Sequence, residues 1–375
     1  MKILFVLGAR SEFGYILPVY REAERRGHTP AIWSCNTASL PGFGDVAQSA
    51  RESGLNVRQI VTTSFDGYSH VAMAKSLGAV TQALADYLGN ENYDWVVLSG
   101  DRAEQLGAAI TSSYMYVPTA HIQAGERSGN IDGLARHAIA RLAHVHFAAN
   151  PDAEERLKRS GEEEWRIVMS GAPQIDGLVE TATERNELER KRLVPSSKFV
   201  LAVFHPETAR LEQELRYLEQ LIVFLKTHDA PVVWIAPNND AGSRSVREIV
   251  MANLRAQDYF RENVSRPDFA GILKNCEVIV GNSSAGIIEA PSFSTVAINI
   301  GKRQEARFRG KNVIDVDGEK ITLEDAFAKV SRLRKNLATA GGDFPYGTGN
   351  SSEVIINSLE ALLGHSRLTL KQLSY

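Results

Sequence analysis

The chain has 375 residues, of which 42 are basic and 45 are acidic, giving a formal net charge of −3. This length favours two domains with sizeable cores, and the lack of a strongly basic block argues against nucleic acid as a partner. The two cysteines, Cys35 and Cys276, lie far apart and outside a CxxC spacing, which argues against a disulfide framework and a zinc site.

The N-terminus leads directly into the first predicted strand. Met1 and Lys2 precede the apolar run Ile3–Leu7. This run is too short for a signal peptide or a membrane span. We therefore expect a soluble, cytoplasmic protein without a membrane partner.

Short apolar runs alternate with amphipathic stretches through the first half of the chain. The predicted strands are Ile3–Leu7, Pro30–Trp33, Val57–Val61, Trp95–Leu98, Thr119–Ile122, Val145–Ala148 and Arg166–Met169. The helices predicted between them are Ile16–Arg26, Val71–Leu88, Ala103–Tyr114, Leu134–Ala143 and Ala153–Ser160. Continuous apolar strands separated by helices are typical of parallel sheets covered on both faces.

The pattern then restarts. The strands predicted in the second half are Phe199–Phe204, Val232–Ala236, Tyr259–Val264, Val278–Val280 and Val296–Ile300, with helices such as Glu212–Lys226 between them. The charged stretch Thr181–Ser197 separates the two series and predicts a helix and a linker, with a domain boundary near residue 185. The sequence therefore predicts an α/β protein with two doubly wound parallel-sheet domains, whose carboxyl edges face a cleft suited to a nucleotide-linked ligand.

Three carboxylates follow two of the predicted strands. Asp101 comes after Trp95–Leu98, while Glu126 and Asp132 come after Thr119–Ile122. The accompanying arginines are Arg102, Arg127 and Arg136. Because the ends of parallel strands converge on one rim, this group predicts proton-transfer chemistry on an anionic substrate. The alternative is that Asp101 and Asp132 are simple helix caps.

The turn Gly8–Gly14 follows the first predicted strand. Its glycines would let the backbone approach a phosphate, which Arg10 can clamp with two hydrogen bonds. The turn does not match GxGxxG, and the chain contains no GxxxxGK[ST], so neither a dinucleotide fingerprint nor a P-loop is present. The alternative is an ordinary tight turn with a solvated arginine.

The segment Gly281–Pro291 is a second candidate phosphate site. Small residues open a short helix whose amides, with the hydroxyls of Ser283 and Ser284, can hold a diphosphate. Glu289 is spaced to reach the hydroxyls of a ribose. The alternative is a serine-capped helix start with Glu289 on an exposed face.

Two further segments of the second half carry candidate residues. His205 ends the first strand there and can donate to a phosphate oxygen, while Thr208 is expected to cap the next helix. Arg303 and Arg307 belong to a basic loop after Val296–Ile300, and the alternative for such a loop is a solvated charge run. The histidines near Arg136 lack an HExxH pattern, so we expect packing or cleft-lining residues and no metal site.

Taken together, these segments resemble the UDP-N-acetylglucosamine 2-epimerase family, specifically its hydrolysing branch. The most specific segments are Gly100–Arg102, Gly125–Asp132 with Arg136 and His137, Gly281–Pro291, and Gly301–Gln304 through Asn312–Val316. The resemblance implies a GT-B architecture with Rossmann-like domains over residues 1–185 and 186–355. It also implies a C-terminal tail, 356–375, that crosses back to the first domain, a homodimer, and no metal or redox cofactor.

The resemblance also implies roles for individual residues. The acid/base group would be Asp101, Glu126 and Asp132, with Arg136 assisting. The substrate and nucleotide would be bound by Arg10, Arg102, His205, Asn282, Ser283, Ser284, Gly286, Glu289, Arg303 and Arg307.

Three departures from the family pattern are visible. Gly133 stands where the family often has a second acid after the aspartate. Gln123 stands where non-hydrolysing relatives carry a catalytic glutamate. The region Cys35–Asp45 lacks the expected glycine-histidine pattern. These changes bear on the identity of the sugar and of the proton carrier.

The activity that the resemblance implies is hydrolytic epimerisation of UDP-N-acetylglucosamine or a close 2-acetamido sugar. A carboxylate removes the C2 proton as the diphosphate leaves C1, giving a 2-acetamidoglucal. Water then adds at C1 and a proton returns to the opposite face of C2, giving N-acetylmannosamine. The alternatives are a non-hydrolysing epimerase, a GT-B glycosyltransferase and a non-catalytic nucleotide-sugar sensor.

Overall fold

The computed structural model describes residues 1–40, 45–65, 70–127, 131–207, 210–237, 242–262, 264–316, 322–339 and 341–374, with residues 70, 131 and 132 described by their backbone alone. The chain divides into two compact units. Unit 1 comprises Met1–Asp176 and Tyr346–Tyr375, and unit 2 comprises Gly177–Pro345. The boundaries near residues 185 and 355 stay predictions.

Unit 1 is built on a seven-stranded parallel sheet with the order β3-β2-β1-β4-β5-β6-β7. Its strands are β1 (Lys2–Leu7), β2 (Thr29–Cys35), β3 (Val57–Val61), β4 (Trp95–Ser99), β5 (Thr119–Ala124), β6 (Val145–Ala148) and β7 (Ile167–Met169). Its helices are α1 (Arg10–Arg25), α2 (Val46–Glu52), α3 (His70–Leu88), α4 (Ala103–Tyr114), α5 (Ile131–Leu142), α6 (Pro151–Arg159) and, near the C-terminus, α13 (Ser351–Leu362). The strand order reverses between β1 and β4, which is where doubly wound sheets bind ligands.

Hydrophobic burial on both faces holds this sheet in place. Strands β1, β4, β5 and β6 are almost entirely buried, as expected for parallel strands covered by helices. Leu4 and Val96 pack under α3 and α4 on one face, and Phe5 packs with α1 and α13 on the other. Each fully buried side chain of this size contributes roughly 1.5–3 kcal/mol.

The C-terminal tail after α13 is anchored on unit 1. Leu368 is buried in the core beside Val145 and Phe147. The guanidinium of Arg166 donates to the carbonyls of Leu368 and Arg367, each at 2.8 Å. Arg166 was predicted to begin β7, but it lies in a 3₁₀ turn before that strand, and its side chain holds the tail.

Unit 2 is built on a six-stranded parallel sheet with the order β10-β9-β8-β11-β12-β13. Its strands are β8 (Val200–Val203), β9 (Val232–Ile235), β10 (Tyr259–Arg261), β11 (Ile279–Gly281), β12 (Ala297–Ile300) and β13 (Val313–Val316). Its helices are α7 (Arg185–Arg190), α8 (Leu211–Thr227), α9 (Ser243–Ala252), α10 (Arg266–Asn275), α11 (Ala285–Ile288) and α12 (Leu323–Thr339). Its order reverses between β8 and β11.

The helices of unit 2 follow from amphipathic spacing and local capping. Leu218, Leu221, Ile222 and Leu225 form the buried stripe of α8, at the three- and four-residue spacing of one helix face. Helix α10 begins at a serine cap, where the Ser265 hydroxyl accepts the Asp268 amide at 3.3 Å.

Each strand predicted from the sequence is present, with ends that differ by at most a few residues. Strand β13 was not predicted, because its four residues follow a charged loop and are too few to show a clear period. Helix α1 begins at Arg10, six residues earlier than predicted, so most of the expected turn Gly8–Gly14 is helical. Among the described residues, the helices are all too short or too polar to span a membrane.

Candidate active site

Asp101 lies immediately beyond the carboxyl end of β4, in unit 1. Gly100 has a φ of +79°, a left-handed conformation that turns the chain out of the strand and that glycine adopts without strain. The carbonyl of Gly100 accepts a hydrogen bond from His121 Nε2 on β5, at 2.7 Å. Burial lowers the pKa of His121 to about 3, so the ring is neutral and carries its proton on the nitrogen that donates. His121 therefore fixes the loop that carries Asp101.

Arg136 joins the ends of two neighbouring strands. Its Nη2 forms an ion pair with the Asp101 carboxylate, and its Nη1 donates to the Gln123 carbonyl at 2.7 Å. The guanidinium is 3% exposed and Asp101 is 21% exposed, so the pair is shielded but reaches the surface. Gln123 has a φ of +59° at a register shift between β5 and β6, which directs its carbonyl toward Arg136. Asp101 and Arg136 are thus brought together, as predicted.

Glu126 follows β5 at the same edge of the sheet and is buried. Its Oε1 accepts a hydrogen bond from Asn150 Nδ2 at 2.8 Å. Asn150 also caps α6, because its Oδ1 accepts the Ala153 amide at 2.9 Å. Gly125 packs so closely on α6 that a Cβ there would clash with the Ala153 carbonyl. Asn150 was not among the residues predicted from the sequence, although an Asn-Pro pair before a helical stretch is a recognisable cap signal.

The remaining acid/base candidate is only partly described. Asp132 belongs to the first turn of α5, and its side chain lies outside the described residues. Arg102 caps the start of α4 and is partly exposed, with its Nε 3.4 Å from Glu104 Oε2. The edge therefore holds Asp101 and Glu126 on adjacent strand ends, with Arg136 and Arg102 beside the first of them.

The start of α1 differs from the phosphate-binding turn that the sequence suggested. The amides of Gly8 and Ala9 both donate to Glu12 Oε2, at 2.6 and 3.1 Å. These two amides are therefore bonded to a carboxyl group within the chain. Arg10, the candidate anion clamp, is exposed at the first position of the helix. Glu12 was missed, although a glutamate at the third helical position is a capping-box signal.

His205 and Asn282 are paired at the switch point of the unit 2 sheet. The His205 amide donates to Asn282 Oδ1 at 2.7 Å, and Asn282 Nδ2 donates to the His205 carbonyl at 2.8 Å. The same Nδ2 donates to Glu214 Oε2 at 2.9 Å. Burial, with a smaller effect from Arg303, lowers the pKa of His205 to about 3, so its ring is neutral near pH 7.

The basic loop after β12 is tied to this pair. The Asn282 carbonyl accepts from Arg303 Nη1 and from Gln304 Nε2, both at 3.1 Å. Arg307 Nε donates to Gln304 Oε1 at 2.9 Å. Asn282 is fully buried and joins β8, β11, α8 and this loop. Arg303 is thus held next to His205, and Arg307 is bonded within the loop, so neither belongs to a solvated charge run.

The other predicted residues of unit 2 surround helix α11. This helix has four residues, and Ser283 Oγ accepts the Ala285 amide at 3.3 Å while Ser284 caps the helix start without a side-chain bond. Gly286 packs on β12, where a Cβ would lie 2.9 Å from that of Ala297. Glu289 is buried, and its Oε1 forms an ion pair with Arg266 Nη1 at 2.8 Å. Thr208 lies outside the described residues.

The histidines near Arg136 pack inside unit 1. His144 Nδ1 accepts the Thr119 amide at 3.0 Å, and His146 Nε2 donates to Glu162 at 2.9 Å. Among the residues whose side chains are described, no group of three His, Cys, Asp or Glu side chains is arranged to hold a metal ion.

Comparison with known proteins identifies the family. Residues 32–360 match the family model described as UDP-N-acetylglucosamine 2-epimerase. The chain belongs to this family. This confirms the resemblance inferred from the sequence, and it makes the protein a nucleotide-sugar 2-epimerase by family.

Individual relatives agree with this assignment. The UDP-N,N'-diacetylbacillosamine 2-epimerase (hydrolyzing) of Legionella pneumophila is 30% identical, over 100% of this chain and 99% of its own. A UDP-N-acetylglucosamine 2-epimerase of Neisseria meningitidis serogroup B is 27% identical, over 95% of each chain. A crystal structure of a UDP-GlcNAc 2-epimerase from Neisseria meningitidis bound to UDP-GlcNAc has a TM-score of 0.80 at 19% identity, covering 96% of this chain and 100% of that one. The last similarity confirms the GT-B-like fold.

Proposed function

We propose that this epimerase is hydrolysing: it releases a free 2-acetamido sugar, inverted at C2, together with a nucleoside diphosphate. The observation that carries the proposal is the neutral side chain at position 123. Gln123 is buried, and its Nε2 donates to Gln174 Oε1 at 3.0 Å. An amide cannot take up or deliver a proton as a carboxyl group does, so this position lacks the acid/base group that non-hydrolysing relatives carry there.

Two relatives support the hydrolysing outcome and suggest the sugar. The Legionella pneumophila protein is named as a hydrolysing diacetylbacillosamine epimerase, and it matches over the whole length of this chain. A Campylobacter jejuni protein named GDP/UDP-N,N'-diacetylbacillosamine 2-epimerase (hydrolyzing) is 30% identical over 69% of this chain. We propose a UDP-linked 2-acetamido sugar as substrate, either N-acetylglucosamine or its diacetamido-trideoxy relative.

Unit 1 would supply the acid/base chemistry. A carboxylate oxygen takes the C2 proton, the C2–H electrons form the C1=C2 bond, and the C1–O bond breaks as the diphosphate leaves with its electron pair. We assign removal of the C2 proton, and the later return of a proton to the opposite face of C2, to Asp101 and Glu126. Asp132 is a third candidate. The Arg136 guanidinium pairs with the Asp101 carboxylate and so fixes its orientation.

The second half of the reaction adds water to the glucal. The water oxygen bonds to C1, one water proton is taken up by a carboxylate, and the proton delivered to C2 comes from the acid on the opposite face. One molecule of water is therefore added across the double bond, and C2 is inverted. Two carboxyl groups on different strand ends suit this division, because each can serve one face of the sugar ring.

Unit 2 would bind the nucleotide diphosphate. Arg303 carries positive charge beside His205, whose neutral ring can donate one N–H to a phosphate oxygen, and Arg307 is bonded to Gln304 in the same loop. The hydroxyls of Ser283 and Ser284 at the start of α11 are additional donors, and such donors stabilise the charge that develops on a leaving diphosphate. Arg266 is paired with Oε1 of Glu289, so a ribose hydroxyl would donate to Oε2 or replace that ion pair.

The test is to incubate the protein with UDP-N-acetylglucosamine, UDP-N,N'-diacetylbacillosamine and its GDP analogue in deuterated water, and to record proton NMR spectra. We expect free UDP and a released sugar with deuterium at an inverted C2. Deuterium in a retained nucleotide sugar would instead establish the non-hydrolysing reaction. UDP release that requires an acceptor would support a glycosyltransferase, and binding without turnover would indicate a sensor.

The homodimer also stays a prediction, which light scattering can test.

A further inference from the structure

A buried glutamine links the two strands that flank the switch point of unit 1. Gln105, in the first turn of α4, has no exposed surface. Its Oε1 accepts the Ser99 amide, at the end of β4, at 3.2 Å. Its Nε2 donates to the Val6 carbonyl, near the end of β1, at 3.1 Å. One side chain therefore joins the two strand ends beyond their last paired residues, Phe5 and Val97, at the point where the chain leads to Arg10 and Asp101.

Glu12 completes this link from the side of α1. The Nε2 of Gln105 also donates to Glu12 Oε2, at 2.8 Å. This same oxygen accepts the amides of Gly8 and Ala9. Glu12 is 2% exposed, and among the described residues its Oε1 has no hydrogen-bond partner. Four segments are thus joined by two side chains: the ends of β1 and β4 and the starts of α1 and α4.

Building on the proposed function, we propose that Glu12 and Gln105 form a positioning pair, which holds Arg10 and Asp101 at the separation needed for diphosphate elimination. Neither side chain reaches the substrate. Arg10 directly follows the amides that Glu12 accepts, and Asp101 lies two residues beyond Ser99. The pair therefore acts on the reaction through these two residues, and its loss should lower kcat more than it raises KM.

The charge state of Glu12 gives this proposal a second readout. Burial, and then the negative charge of Glu104, raise the pKa of Glu12 to about 8. The groups that face it from neighbouring elements are Glu104 on α4, Arg102 before α4, and Cys35 on β2, a thiol whose own pKa is raised well above its usual range. The carboxyl is thus mostly neutral at pH 7. Its ionisation above pH 8 would add a negative charge beneath Arg10.

The experiment compares Glu12→Gln, Glu12→Ala and Gln105→Leu in the full-length protein, using the substrate that the wild type turns over. We expect Glu12→Ala and Gln105→Leu to lower kcat about 30- to 100-fold with little change in KM. Glu12→Gln should recover kcat to within about threefold of wild type at pH 7, because an amide reproduces the neutral carboxyl. It should also keep its activity above pH 8.5, where the wild type declines.

Leu84→Ala is the matched control, since it destabilises unit 1 by removing a fully buried side chain of α3 that makes no proposed contact with the site. Thermal unfolding is measured for every variant. Equal kcat for Glu12→Ala and Leu84→Ala at equal loss of stability would overturn the proposal, and so would a Glu12→Gln variant as impaired as Glu12→Ala. If Glu12→Ala does not fold, kcat of Glu12→Gln is compared with kcat of Gln105→Leu. The proposal then requires a near-native kcat for the first variant and a lowered kcat for the second, and equal values would overturn it. A wild type without turnover on any nucleotide sugar would refute the proposed function itself, which is a different outcome.

Discussion

The two units share a strand order but hold their candidate site residues in different ways. In each sheet the order reverses once, between β1 and β4 in unit 1 and between β8 and β11 in unit 2. At the edge of unit 1, the contacts are charged: Arg136 pairs with Asp101, and the Glu126 carboxylate accepts from Asn150. At the edge of unit 2, the hydrogen bonds of His205, Glu214 and Arg303 converge on the neutral residue Asn282, although an ion pair, Arg266 with Glu289, also lies there.

This difference matches the two tasks that we propose. Proton transfer needs ionisable groups whose protonation can change, and such groups are stable at a partly buried edge when a countercharge or a hydrogen-bond donor accompanies them. Binding a diphosphate needs donors at fixed positions, and a fully bonded amide can hold several loops in place without itself titrating. Unit 1 is therefore expected to be sensitive to changes of charge, and unit 2 to changes of shape.

The largest effect should come from removing the charge at Asp101. Asp101→Asn keeps a side-chain oxygen that can accept from Arg136, but it cannot take up a proton. Loss of a general acid or base lowers turnover by roughly 10²–10⁴-fold. We expect kcat to fall by this amount while the Kd for UDP, measured by calorimetry, stays within about twofold.

The matched control for this prediction is Asp152→Asn, which removes a similar ion pair, with Arg156, from the surface of α6. An exposed pair of this kind contributes about 0–1 kcal/mol, so turnover should not change. Near-native turnover of Asp101→Asn would contradict the assigned proton transfer and would remove the main contrast between the units.

A second effect should appear as a difference in acid stability. In unit 1, burial is the main cause that lowers the pKa of His121 to about 3 and that of both His144 and His146 to about 4. Their unfolded values are near 6.5. Below pH 6.5 the unfolded chain therefore binds protons that the folded unit does not, and folding stability is lost as the pH falls from 6.5 toward 4. Each such histidine contributes a loss of about 1.4 kcal/mol per pH unit.

In unit 2, His205 is the corresponding histidine among the described residues. Hydrogen exchange followed by mass spectrometry between pH 7 and 4.5, corrected for intrinsic rates, should show unit 1 opening before unit 2. His144→Asn keeps an acceptor for the Thr119 amide but does not titrate in this range. The pH dependence of the opening free energy of unit 1 should therefore fall by the equivalent of about one proton. If the opening free energies of the two units fell equally with decreasing pH, buried histidines would not set their relative acid stability.

The fold could be predicted from the sequence because its signals are local and repeated. Apolar strands such as Trp95–Leu98 and amphipathic stretches such as Ala103–Tyr114 alternate through the chain, and the structure places β4 and α4 there. The start of α1 was misplaced, because glycines near a strand end suggested a loop. A buried carboxyl of Glu12 allows the helix to begin directly after the strand.

The candidate site was predicted in part. Asp101, Glu126 and Arg136 were recognisable as charged residues after predicted strands. His121, Gln105 and Asn150 were not, because each acts through a hydrogen bond to a residue that is distant in sequence. Asn282 was predicted as a ligand-binding residue, but both its amide hydrogens and its side-chain oxygen bond within unit 2. Its role at the site is a proposal that a substitution can decide.

The smallest effect should distinguish Asn282 from its neighbour Ser283. Asn282→Ala leaves the His205 amide and Glu214 without their partner, which should destabilise unit 2 by about 2–4 kcal/mol and weaken UDP binding at least tenfold. Ser283→Ala removes one hydroxyl from the start of α11, so stability should change by less than about 1 kcal/mol, while UDP affinity falls about fivefold. Asn275→Ala controls for the substitution itself, since its side chain donates within α10, to the Gly271 carbonyl. If Asn282→Ala lowers the affinity for UDP without lowering the urea midpoint of unit 2, this asparagine binds the ligand directly. The site of unit 2 would then depend on direct ligand contacts as much as the site of unit 1 does.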